Sequence, residues 1–310
     1  MKYIYKHGYN ISRFSLGTAQ FGSDYGIANK HGKVAEKEIE KIFNKAFEKG
    51  VNLIDTAVSY GESERIIGKI LSNSSYKEDI IIASKLPHLK SKNNLQGITK
   101  EIDQVVDQSL SHLRLETLPI FLLHEEEDLF FDGGYIVDVL KNEKERGKIN
   151  LLGVSAYSPE AAEAALENPE MQVIQVPFNL FDQRLNKINF FSRAAEKGKL
   201  VLVRSVFLQG LFFMTEDEIL PEKFCIYSPY FKKLSEIADS YCFRVGELAL
   251  KYACQKSQGS VILGVDSCTQ LDENLDAYSN KNILNSEIIK SIEKAFQDIP
   301  VNLIDPRMWC

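Results

Sequence analysis

Residues 51–71 read VNLIDTAVSYGESERIIGKIL. Val51 to Ile54 is a short apolar run with no polar alternation, the pattern of a strand covered on both faces in a parallel sheet. The run closes on an acid, Asp55, and a loop carrying Tyr60 and Gly61 follows. A carboxylate at the tip of a buried strand needs an explanation, and the rest of the chain supplies its context.

The same kind of run recurs at Phe14–Leu16, Ile80–Ala83, Leu118–Leu123, Leu151–Val154, Val173–Val176, Leu200–Val203 and Val261–Leu263. Amphipathic stretches lie between them. In EKEIEKIFNKAFEKG, Ile39, Ile42, Phe43, Ala46 and Phe47 share one helical face, and Gly50 is placed to cap the C-terminus. Eight strands, each followed by a helix, predict an α/β fold of the (β/α)8 TIM-barrel type, a single domain over residues 1–310. The opening KYIYKHGYNISRF predicts a β-hairpin about His7-Gly8 that plugs the barrel floor. A doubly wound open sheet is the competing architecture, but the glycines near Gly17 lack the dinucleotide-fingerprint spacing. The irregular stretch from Gln209 to Pro229 is a candidate active-site loop.

The 310 residues are 44% hydrophobic and 26% charged, with a formal net charge of −6. That balance argues against nucleic acid or an anionic membrane as partner. No apolar run approaches the roughly 20 residues that span a bilayer. The five cysteines, Cys225, Cys242, Cys254, Cys268 and Cys310, are widely spaced and form no C-x-x-C pair. This points to reduced thiols, a cytoplasmic location and no metal site.

Barrel active sites lie at the C-terminal ends of the strands. There the chain offers Asp55, then Lys85 after Ile80–Ala83, then His124 after Leu118–Leu123, with Tyr60 on the loop beyond Asp55. A phenol has a pKa of about 10 in water, and a nearby ammonium lowers it. The expectation is that Lys85 lowers the Tyr60 pKa, that Asp55 fixes Lys85, and that His124 orients a substrate carbonyl. A phenol acting as general acid on a carbonyl oxygen makes sense when hydride is delivered to the carbon, as nicotinamide does. Each residue alone reads as an ordinary loop or structural residue; the joint pattern is what carries chemistry.

These motifs resemble the aldo/keto reductase family. LGTAQFG (16–22) resembles its opening motif, LIDTAVSYGESERIIGKIL its Asp-to-Tyr signature, and IIASKL and IFLLH the segments bearing its lysine and histidine. GKINLLGVSAYSPE, IQVPFNLFD, RSVFLQGLF and VILGVDSCTQLDENL follow in order. The resemblance implies an NADP(H)- or NAD(H)-dependent oxidoreductase acting on a small-molecule carbonyl or alcohol, with Tyr60 as general acid/base.

It further implies Thr18 near the nicotinamide, and Ser155 and Gln175 holding its carboxamide, with Ala156 where the family has Asn. Arg204 stands at the ring-stacking position. Ser205, Phe207, Gln209 and Gly210 would line the pyrophosphate; Gly264, Ser267, Gln270, Glu273 and Asn274 would meet the adenosine end. NADPH-preferring members commonly carry Lys or Arg in that last segment, whereas GVDSCTQ has none and offers Asp266. This makes NADH use an expectation.

Two alternatives stay open on sequence alone: a Schiff-base barrel lyase using Lys85, and a regulatory or binding subunit with little turnover. The acidic run Glu125–Asp128 and the basic run HLKSK (88–92) read as solvated loops, and DPRMWC as a tail able to fold over the barrel mouth.

Overall fold

The computed structural model describes residues 1–29, 32–214 and 220–309. Strands β1 (Tyr3–Lys6) and β2 (Tyr9–Ser12) form an antiparallel hairpin. Eight parallel strands follow: β3 (Phe14–Gly17), β4 (Leu53–Asp55), β5 (Ile81–Leu86), β6 (Leu118–Leu123), β7 (Ile149–Ser155), β8 (Val173–Pro177), β9 (Leu200–Arg204) and β10 (Ser260–Gly264). They close in sequence order, with β10 pairing β3 through Leu263 and Leu16. The closed barrel excludes the open doubly wound sheet. Among the described residues no helix is long and apolar enough to cross a membrane.

Local chemistry explains the boundaries. His7 (φ 49°) and Gly8 (φ 85°) both take the left-handed conformation that a two-residue hairpin turn requires. The hairpin delivers Ile11, fully buried, into the barrel interior against Leu53, Ile81, Ile120 and Leu122. The floor is therefore plugged, as the sequence suggests. The strand expected from Val51 begins at Leu53 instead. Asn52 is diverted to the hairpin: its side chain accepts from Ser12 N–H at 2.8 Å and donates to Asn10 C=O at 2.7 Å.

The helix Glu36–Glu48 buries all five residues expected on its apolar face. It stops where Gly50 turns left-handed (φ 81°), with Gly50 N–H bonding Phe47 C=O at 2.8 Å and Val51 N–H bonding Ala46 C=O at 2.9 Å. This doubly bonded ending satisfies two otherwise orphan carbonyls and turns the chain into β4. Of the region from Gln209 to Pro229, short 3-10 segments occupy Leu208–Phe213, kinked at Gln209 and Gly210, and Glu222–Tyr227; residues 215–219 lie outside the described residues.

Candidate active site

Asp55 ends β4, Lys85 lies in β5 and His124 directly follows β6, three adjacent strands that present their side chains at one end of the barrel. Lys85 is fully buried and donates to Asp55 Oδ1 at 2.7 Å and to Thr56 C=O at 2.8 Å. Its ammonium sits 5.1 Å from the centre of the Tyr60 ring. The Tyr60 and His124 rings meet edge to face with centroids 5.9 Å apart, and His124 Nδ1 lies 3.4 Å from Ser59 Oγ. A second buried chain supports Asp55 from behind: Ser155 Oγ donates to Gln175 Oε1 at 3.2 Å, and Gln175 Nε2 donates to Asp55 Oδ1 at 2.6 Å.

The loop holding Tyr60 is fixed by close backbone approach. A Cβ on Gly22 would stand 1.5 Å from the Tyr60 carbonyl oxygen, and one on Gly61 (φ +56°) would stand 2.5 Å from the Gly22 carbonyl oxygen. The two loops therefore interlock only because both positions lack a side chain. Hydroxyls finish the job. Thr56 donates to Ser63 at 3.0 Å, Ser63 to Thr18 at 2.9 Å and Thr18 to the Asp55 carbonyl at 2.9 Å.

The electrostatics correct one expectation. The Tyr60 phenol is not lowered: burial pushes it well above its ordinary value, Asp55 and Tyr157 add to the rise, and Arg204 opposes it. Lys85 is largely neutralised by Asp55, so its field does not outweigh desolvation. Burial also lowers the Lys85 pKa against the opposing pull of Asp55. His124 is lowered to about 3 by burial, with Lys85 and Arg204 adding to the shift. At neutral pH the cluster sets a protonated phenol and a neutral imidazole beside the hydrogen-bonded Lys85–Asp55 pair.

From Asp55 and Tyr60 a cleft of about 970 Å³ runs across the barrel mouth to Gly264 and Asn274. Thr18, Arg204, Ser205, Phe207, Gln209, Gly210, Gln270 and Glu273 also line it. Ser155 and Gln175 lie behind it, bonded toward Asp55, and Ser267 caps the helix Cys268–Ser279 by accepting from Gln270 N–H at 3.2 Å. The loop after β9 holds Ser205, Leu208 and Gln209 at positive φ (60°, 50° and 54°), a costly backbone of the kind found where a ligand is gripped. Among the described residues, Arg204 Nε and Nη2 are buried without a hydrogen-bond partner. Length, hydroxyl lining and the two open guanidinium donors together fit a dinucleotide.

The mouth holds groups that sequence reasoning missed. The Tyr157 ring lies 3.9 Å from the Arg204 guanidinium carbon and 4.0 Å from that of Arg307. Tyr25 and Arg244 line the cleft. Nothing in the sequence marks these positions, because each contact joins loops far apart in the chain. The acidic run is not simply solvated: Glu126 and Asp128 are buried. Glu126 Oε2 accepts from Tyr157 N–H at 2.6 Å and Ser158 N–H at 2.8 Å, and Lys92 of HLKSK pairs with Asp128 at 2.5 Å. A buried carboxylate requires such partners, so both charged runs fasten loops together. The tail does lie at the mouth. Arg307 is held by Asp305 at 2.7 Å and Glu126 at 3.4 Å, the Lys223 ammonium meets the Trp309 carbonyl, and Trp309 packs edge-on against Phe224 at 5.1 Å.

A closed eight-stranded barrel with a titratable cluster and a long cleft at its C-terminal end is the architecture of an enzyme. The sequence profile of the aldo/keto reductase family matches residues 13–296, and the chain belongs to that family. An aldo-keto reductase of Bacillus subtilis is 29% identical over 185 residues, a match spanning 58% of this chain and 54% of that protein. L-glyceraldehyde 3-phosphate reductase of Escherichia coli is 23% identical over 336 residues, covering 97% and 94% of the two chains. The solved holo form of an aldo-keto reductase from Bacillus halodurans shares the fold with a TM-score of 0.77 at 23% identity, over 95% of this chain and 96% of that one. The protein is thus an oxidoreductase of a family that uses nicotinamide cofactors.

Proposed function

We propose that this protein reduces a small aldehyde or ketone of sugar type to the alcohol, or runs the reverse reaction, in the cytoplasm. A bound nicotinamide cofactor supplies or accepts the hydride. The observation that carries the reading is the buried Lys85–Asp55 pair set against the Tyr60 ring at one end of a dinucleotide-length cleft.

In this mechanism Tyr60 stays protonated in its buried setting and gives its phenolic proton to the substrate oxygen as charge develops there. His124, neutral, orients that oxygen by hydrogen bonding without competing for the proton. Lys85 and Asp55 keep the ring in place and hold a compensated charge beneath it; Gln175 and Ser155 fix Asp55. Thr18, Arg204, Ser205, Phe207, Gln209 and Gly210 would hold the nicotinamide and pyrophosphate, and Gly264, Ser267, Gln270, Glu273 and Asn274 the adenosine. The cleft as a whole is lined by Asp239, Glu247, Asp266 and Glu273 against Arg244, an acidic balance that supports use of NADH. The relative named for L-glyceraldehyde 3-phosphate supports a sugar-type carbonyl. Lys85 is turned into Asp55 and Thr56, which weighs against a Schiff-base role.

Tyr60→Phe tests the reading. The ring and its packing remain while the transferable proton is lost, so turnover should drop by roughly 10²–10⁴-fold with cofactor affinity nearly unchanged. Turnover within a few-fold of wild type across a carbonyl panel removes Tyr60 from the mechanism. A wild type that binds cofactor and turns over nothing points instead to a binding subunit.

A further inference from the structure

Two guanidinium carbons, those of Arg204 and Arg307, lie 3.9 and 4.0 Å from the centroid of the one Tyr157 ring. Arg204 lines the cleft, whereas Arg307 belongs to the C-terminal tail. They differ in what else holds them. Arg307 Nη2 and Nε donate to Asp305 at 2.7 and 3.0 Å, and Nη1 reaches Glu126 at 3.4 Å. Among the described residues Arg204 makes one hydrogen bond, Nη1 to Ser205 Oγ at 3.3 Å, and its buried Nε and Nη2 have no acceptor. The Arg204 plane is therefore set mainly by the ring it lies on.

The ring is set by what lies behind it. Glu126 uses Oε2 to bond the Tyr157 and Ser158 N–H groups and Oε1 to receive Arg307. One buried carboxylate thus fixes both the backbone of Tyr157 and the tail cation that lies over its ring. Because Asp305 and Glu126 compensate Arg307, two cations can share the ring without strong mutual repulsion. Arg204 remains the cation whose field reaches Tyr60, Lys85 and His124.

We propose that the tail sets the position of Arg204, with Arg307 acting through Tyr157 as a positioning residue for the nicotinamide end of the bound cofactor. The proposal rests on the cofactor reading given above. Tail docking and cofactor affinity are then coupled, although Arg307 itself touches no cofactor.

The test is equilibrium binding of NADH and of NADPH to the full chain, for wild type, Arg307→Met, Arg204→Met and the double variant. Loss of one cation–π contact should weaken binding by roughly three- to thirty-fold in Arg307→Met. In the Arg204→Met background the same change should add less than about twofold, since its target is gone. Wild-type affinity in Arg307→Met, or two effects that multiply, overturns the proposal. Tyr157→Phe and Tyr157→Leu guard against a misfolded tail variant: the first keeps the ring and should bind as wild type, the second should bind as weakly as Arg307→Met. Equal affinity in these two also overturns it. A wild type that binds neither cofactor sinks the functional reading itself, and is distinguishable because every variant then matches it.

Discussion

Asp55 Oδ1 accepts from both Lys85 and Gln175, at 2.7 and 2.6 Å, in a nearly dry setting. Removing Lys85 strands a buried carboxylate, and breaking such a pair costs about 3–5 kcal/mol. Lys85→Met should therefore unfold at markedly lower denaturant, while Lys85→Met with Asp55→Asn should recover part of the loss; a purely additive double variant in urea unfolding refutes the coupling. Turnover should behave likewise, with Tyr60→Phe and Lys85→Met together costing far less than the product of their single effects. His124 gives a second test, in pH. Its folded pKa is about 3 against 6.5 unfolded, so between those values the unfolded chain binds the extra proton. Stability should fall as pH drops through this window, by at most about 1.4 kcal/mol per unit from this group, and His124→Gln should flatten the slope. Turnover between about pH 5 and 8 should show no inflection from His124, because it stays neutral there.

At the level of elements, the barrel strands could be read from apolar runs, since burial on both faces leaves a mark in each run of three to six residues, and the hairpin from its His7-Gly8 turn. The three titratable strand ends were equally readable: a barrel sends such residues to one rim whatever the loops do. What could not be read was loop against loop. Glu126, Asp128 and Lys92 look solvated in sequence because their partners lie in other segments, and the Tyr60 pKa depends on desolvation that only the assembled mouth creates. The Gly22–Gly61 interlock is intermediate. Both glycines are visible in sequence, but their contact is not. Gly22→Ala should push the Tyr60 loop away, with overpacking costing about 1–3 kcal/mol and turnover falling more than the stability loss explains. Unchanged turnover in a folded Gly22→Ala protein shows that the interlock does not position Tyr60.

Across the whole molecule, the cleft joins β4, β9 and β10, so its Asp55–Tyr60 end and its Gly264–Asn274 end are built from opposite ends of the sequence. Asp266 lines that far end with its N–H bonded to Gln270 Oε1 at 2.8 Å. A charge-assisted bond to a 2′-phosphate is worth roughly one to two decades of affinity. Asp266→Arg should shift preference toward NADPH by that order, read from the two dissociation constants. Wild-type protein binding NADPH a hundredfold tighter than NADH rules the assignment out, with Arg244 the first base to suspect. The chain contains one tryptophan, and it is Trp309, tucked against Phe224 on the tail. Indole emission from this protein therefore comes from a single place. It reports, without any label, whether the tail is seated at the mouth: a red shift marks water reaching the ring, and a titration followed at that wavelength watches the doorway alone.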